Sequence, residues 1–110
     1  MEIKKEKRNG ITYLKIEGSL NASNASVAKK NIDDIIDAEG VNLIIDLSEL
    51  QYISSAGLRV FVLVGREIKS RNGKFILCSI AHVKKEFDMS GFTSIFDIQD
   101  NIEAALKSFS

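Results

Sequence analysis

Two adjacent serines, Ser54 and Ser55, stand where an apolar strand-like run gives way, through Ser48-Glu49-Leu50-Gln51-Tyr52-Ile53, to the small residues Ala56 and Gly57 and then to a helical pattern. A serine at a helix start has two uses. Its hydroxyl oxygen can accept a first-turn N–H and cap the helix, a role open to either residue. It can also carry a phosphate, because the free N–H groups and the positive end of the helix dipole favour an added charge of about −1.5 to −2. Arg59 lies four residues after Ser55, one turn on, placed to pair with such a phosphate or to contact a partner. Small Ala56 and Gly57 leave the serine accessible to a kinase.

No catalytic set assembles elsewhere. A serine hydrolase needs a Gly-x-Ser-x-Gly elbow and a histidine base, but no serine is so flanked and the sole histidine, His82, reads as a solvent-facing residue of a first helical turn. A phosphate-cradling loop needs clustered glycines, and Gly57 and Gly65 stand too far apart. Asp33, Asp34 and Asp37 read as a solvated helix face. The single cysteine, Cys78, lacks the cysteine and histidine neighbours of a zinc or thiol-redox site and fits a reducing interior. The expectation is a binding protein with no cofactor, no metal and no reaction of its own.

The elements that must position Ser55 follow from pattern. At 110 residues and 45% hydrophobic content the chain, 1–110, is expected to form one domain with one core. Asn9-Gly10 predicts a two-residue hairpin turn, followed by a second strand that ends at Gly18. Ala25, Ala28, Ile32 and Ile35 recur at helical spacing, and that helix closes near Gly40. Val41 to Leu47 reads as a central strand buried on both faces. From Ser55, the residues Leu58, Phe61, Val62, Gly65 and Ile68 mark a long helix stopped by Asn72-Gly73. Lys74 to Ile80 is a further strand, Val83 and Phe87 mark a short third helix ending before Gly91, and Ile95 to Ile98 is a last strand. Asp100 and Glu103 have capping-box spacing ahead of a final helix. The order β-β-α-β-α-β-α-β-α implies an α/β fold with a mostly parallel central sheet, an N-terminal hairpin and four helices.

Charge and hydropathy narrow the partners. Fifteen basic and fifteen acidic residues give zero formal net charge, so there is no broad positive field for nucleic acid or an anionic membrane. The first residues hold no apolar signal core, and no stretch approaches the roughly 18 apolar residues of a membrane span, which points to the cytoplasm. The sequons at Asn21 and Asn24 read as polar loop and helix-entry chemistry, and a monomer is expected because no large apolar patch stands out.

Three segments carry a family resemblance: Gly18-Ser19-Leu20-Asn21, Asp46-Leu47-Ser48-x-Leu50-x-Tyr52-Ile53-Ser54-Ser55-Ala56-Gly57-Leu58, and Phe87-Asp88-Met89-Ser90-Gly91 with Phe92. They resemble the STAS domain family in its stand-alone bacterial form, the anti-sigma factor antagonist or anti-anti-sigma factor, over nearly the whole chain. The resemblance implies that Ser55, two residues before the helix-entry glycine, is a phosphoacceptor, with Ser54 as the alternative. It implies that the unphosphorylated protein binds an anti-sigma factor that is also a serine kinase, thereby freeing a sigma factor for transcription. Phosphorylation would break that complex, and a PP2C-type phosphatase would restore it. The implied partner surface comprises Leu20, Asn21, Ser23, Ser54, Ala56, Gly57 and Arg59. The family's sporulation and stress-response members carry aspartate where this chain has Ser54, a second hydroxyl residue where it has Ala56, and commonly aspartate where it has Asn21. The alternative reading is a STAS scaffold or small-ligand module that does not switch and uses Ser55 only as a cap.

Overall fold

Asn9 and Gly10, with φ of 52° and 79°, form the tight turn that joins β1 (Glu2–Arg8) to β2 (Ile11–Leu20). Two successive positive φ values match the right-handed twist of the flanking strands. The resulting antiparallel register pairs Arg8 with Ile11 and Glu2 with Glu17. The computed structural model describes residues 1–109.

Beyond the hairpin the chain alternates helices and parallel strands. In order they are α1 (Ala25–Glu39), β3 (Asn42–Asp46), β4 (Leu50–Ile53), α2 (Ser55–Ser70), β5 (Lys74–Cys78), α3 (Lys84–Ser90), β6 (Ile98–Gln99) and α4 (Ile102–Lys107). The sheet runs β1-β2-β3-β5-β6, with β3 central as its apolar run predicts, and β4 pairs with the far end of β2. Every pairing other than the hairpin is parallel.

Alternation along the strands divides the core into two layers. Leu14, Ile16, Leu43, Ile45 and Leu77 face α1, α2 and α3, whose buried stripes are supplied by Ala28, Ile32, Leu58, Phe61, Val64 and Phe87. Ile11, Tyr13, Ile44, Ile76 and Cys78 face the other way and are covered by α4 through Ala105, with Ile102 and Phe109 at its edge. Cys78 is buried, and desolvation with the neighbouring Asp46 charge pushes its thiol up to about 11, which keeps it protonated and unreactive near neutrality.

Five details depart from the pattern reading. Leu50–Ile53 is a sixth strand: its ends are buried and its centre exposed, so it lacks the strict alternation by which a strand is recognised. The residue at φ 91°, Gly18, lets β2 shift register and leave β3 for β4, while its N–H donates to Glu49 O at 3.1 Å. Thr93–Ile95 is a 3-10 turn, and the last strand holds only Ile98 and Gln99. Asn101, not Asp100, caps α4, its Oδ1 accepting the Ala104 N–H at 2.8 Å. In α1 it is Ile36 that is buried most fully at the C-terminal end, with Ile35 packed at the core edge.

Candidate phosphoacceptor and partner-binding site

The two serines divide the two possible roles between them. Ser54, extended at φ −89° and ψ 173°, is the N-cap of α2, and its hydroxyl oxygen accepts the Gly57 N–H at 3.2 Å. Its own N–H donates to Leu20 O at 2.9 Å, which fastens the helix entrance to the end of β2. Ser55 is the first helical residue, exposed, and among the described residues its side chain has no hydrogen-bond partner. Since the cap is already supplied, the Ser55 hydroxyl is left free for chemistry. Replacing Ser54 by alanine is therefore expected to cost about 1 kcal/mol of stability in chemical denaturation.

Upstream, the buried carboxylate Asp46 explains the start of the longest motif. Its Oδ1 accepts the Ser48 N–H at 2.9 Å, closing the turn that sends the chain out of β3, and Lys15 Nζ stands 4.0 Å from Oδ2. The next turn, through Leu47 and Leu50, delivers β4 and then the serines.

Gly57 closes the assembly. A Cβ there would lie 2.8 Å from Ile53 Cγ1, 2.8 Å from Leu20 Cγ and 3.0 Å from Leu20 O, so the first turn of α2 sits against the strand ends with no room for a methyl group. Leu20 and Ile53 are buried and cannot swing aside. Gly57→Ala is expected to destabilise the fold by about 2 kcal/mol, read as a lower urea midpoint, and to displace the helix entrance.

Two of the residues expected at a partner surface, Leu20 and Gly57, are placed inside the fold. Leu20 is fully buried and Gly57 is buried beneath it, so neither presents a side chain outward; they set the position of the residues that do. Ala56 is half-buried at the core edge, and Arg59 is exposed on the same face of α2 as Ser55.

The loop between β2 and α1 is held by Asn21. Its Oδ1 accepts from Ser23 N at 3.0 Å, Ser23 Oγ at 2.7 Å and Asn24 N at 3.2 Å. Asn24 answers by accepting the Asn21 N–H at 2.9 Å and donating its amide to Ser19 O at 2.9 Å. Every donor to Asn21 uses its oxygen, so an aspartate there would make the same loop; asparagine keeps the shape and omits the charge. Ser23 is exposed at the loop surface. The two halves, Asn21 to Ser23 and Ser54 to Arg59, meet through the Ser54 to Leu20 hydrogen bond.

Several neighbours of Ser55 escaped pattern reading. Ser55, Ala56 and Arg59 open onto a groove of about 450 Å³ that is also lined by Val62, Leu63, Phe92 and Ile95. Tyr52, 49% exposed on β4, adds an outward aromatic ring just before the serines. The helical spacing of Ser55, Arg59, Val62 and Arg66 was a signal for one wall of the groove, but the wall contributed by Phe92 and Ile95 is distant in sequence. Among the described residues no cluster of three or more histidine, cysteine, aspartate or glutamate side chains is placed to hold a metal ion, and no helix is long and apolar enough to cross a membrane.

The model of the STAS domain matches residues 2–105, with β2, β4 and the entrance of α2 all inside the matched span. The chain belongs to the STAS domain family. Among STAS relatives, a candidate anti-sigma factor antagonist of Bordetella bronchiseptica, BtrV, is 34% identical over 110 residues, covering 99% of this chain and 95% of that one. The anti-sigma F factor antagonist of Paenibacillus polymyxa is 26% identical over 108 residues, covering 96% and 92%. The solved fold of the anti-sigma factor antagonist SpoIIAA in its unphosphorylated form superposes with a TM-score of 0.74 at 15% identity over 98% of this chain and 96% of that one. This STAS domain thus aligns over nearly the whole length of two anti-sigma factor antagonists and shares the fold of a third.

Proposed function

We propose that this protein is an anti-sigma factor antagonist switched by phosphorylation of Ser55. Unphosphorylated, it binds an anti-sigma factor that is also a serine kinase and so frees a sigma factor for transcription. The kinase then modifies Ser55 and the complex dissociates, and a PP2C-type phosphatase resets the protein. It acts in the cytoplasm as one domain, 1–110, and performs no catalysis itself.

The observation that carries this reading is the division of labour between the serines: Ser54 is committed to the cap, and Ser55 is exposed with a free hydroxyl at the first helical position. In the isolated protein a phosphate there is tolerated, because it faces the positive end of the α2 dipole. At a protein interface the same dianion must be desolvated or paired, which costs several kcal/mol and favours release. The switch thus needs no change of fold. The names of the relatives support the anti-sigma factor as the partner.

The test is to incubate the purified protein with its kinase and ATP and to locate the phosphate by tandem mass spectrometry. One phosphate on Ser55 is expected, retained in Ser54→Ala and absent from Ser55→Ala. Modification at Ser54, or none at either serine, would sink the reading.

A further inference from the structure

The groove that begins at Ser55 does not end there. It continues along α2 into a second cavity of about 470 Å³ that shares Val62, Arg66 and Ile95 with the first and runs on past Lys69. Between Arg59 and Lys69 the helix rises about 15 Å, or roughly three turns.

The charges on the two flanks of α2 differ. On the flank facing α1, Arg71 bridges Asp37 and Glu67, each at 2.9 Å. On the groove flank stand Arg59, Arg66 and Lys69, and among the described residues none of them has an ion pair or a side-chain hydrogen bond. The lysines and arginines of β1 and α1 are, by contrast, paired with carboxylates. The one acid lining the groove, Asp97, lies at its far end and accepts from the Gln99 amide. Three like charges on one helical face repel one another, and an opposing anionic surface would relieve that repulsion. Below them the floor is apolar, and Ile95 is 59% exposed.

The geometry points to an acidic amphipathic helix of a partner protein as the occupant of this groove, its apolar stripe on Val62, Leu63 and Ile95 and its carboxylates on Arg59, Arg66 and Lys69. Concavity and length suit a helix of about three turns laid beside α2. A chain with zero net charge and only three free cations in a recess is a poor match for a flat anionic bilayer or a nucleic-acid backbone. The surface is continuous with the Ser55 region but does not depend on it, since Arg66 lies about 16 Å along the helix from Ser55.

Amide chemical shifts of the full-length ¹⁵N-labelled protein would test this with a synthetic peptide of about 16 residues, ~24 Å as a helix, carrying leucines at helical spacing and glutamates elsewhere. The expected result is saturable shifts confined to residues 59–69 and 92–97, weakened at least about tenfold in Arg66→Glu/Lys69→Glu and by added salt. Equal shifts with the matching lysine peptide, shifts centred elsewhere, or no shifts at millimolar peptide would overturn the proposal. So would shifts of the same residues with phosphatidylglycerol vesicles or a single-stranded oligonucleotide in place of the peptide, or with protein concentration alone, which would assign the groove to a membrane, a nucleic acid or a second copy. Loss of Ser55 phosphorylation would leave this result untouched, and failure of the peptide would leave the Ser55 switch untouched.

Discussion

Ser55→Asp is expected to weaken binding to the proposed anti-sigma factor partner by about 3 kcal/mol, roughly a hundredfold in Kd, while leaving the fold as stable as before or slightly more so. The two effects have opposite signs because they arise in different surroundings. In the free protein a carboxylate in the first turn of α2 faces free N–H groups and the positive dipole end, a favourable placement of about 0.3–1 kcal/mol. In the proposed complex the same charge would be desolvated against a surface that accommodates a neutral hydroxyl. Ser55→Ala should retain binding and resist inactivation by kinase and ATP. Isothermal titration with the partner, beside thermal melts of the free variants, separates the outcomes. If the aspartate variant binds as the parent does, the serine is not a switch, and the reading of a non-switching scaffold gains. Since Ser54 already supplies the cap, unaltered stability in Ser55→Ala does not bear on that choice.

The largest stability loss is expected at the other end of α2. Gly73 follows the helix and enters β5 where the chain passes over Val41; a Cβ there would stand 2.2 Å from Val41 O and 2.4 Å from Val41 Cβ. Val41 O also accepts the Lys74 N–H at 3.0 Å, the bond that precedes the pairing of β5 with β3. Backbone cannot yield as a flexible side chain can, so Gly73→Ala should cost about 3 kcal/mol and lower the urea midpoint by roughly 1–2 M with the slope unchanged. A variant with parental stability would mean that the α2 to β5 turn is looser than its contacts indicate. Asn72, at φ 62°, shares this turn, which is why Asn-Gly stops the helix so cleanly.

Features set by local chemistry were readable in the residues themselves. Asn9-Gly10 specifies its turn through backbone freedom, and the stripes of α1 and α2 repeat at helical period over four turns each. β3 and β5 are continuous apolar runs because helices cover both faces. β4 was hidden because four residues with a buried, exposed, exposed, buried order match neither period, and its existence depends on the register shift at Gly18. Asp100 and Asn101 are both good caps, and only the backbone decides between them.

The site was half legible for the same reason. Ser54 and Ser55 stand out as helix-start residues from sequence, and the family motif singles out Ser55, but which of them accepts the Gly57 N–H is a matter of backbone angle. Leu20 and Gly57 carry the motif without carrying surface: their identities record the close approach of α2 to β2, and a motif does not distinguish packing from contact. The groove wall of Phe92 and Ile95 comes from a segment some 40 residues beyond Ser55, a tertiary juxtaposition with no local signature.

The hydrogen bond from Ser54 N to Leu20 O has a consequence for recognition. It makes the Asn21 loop, itself closed by five hydrogen bonds among Ser19, Asn21, Ser23 and Asn24, and the entrance of α2 a single preorganised contour. A partner docking there has little disorder to remove, so the entropic penalty of association is small and selectivity falls to the partner's own shape. The same stiffness means that, in the proposed switch, a phosphate at Ser55 would not be absorbed by the loop moving away: the added charge would be presented where the hydroxyl was, and the proposed complex would have to separate to accommodate it.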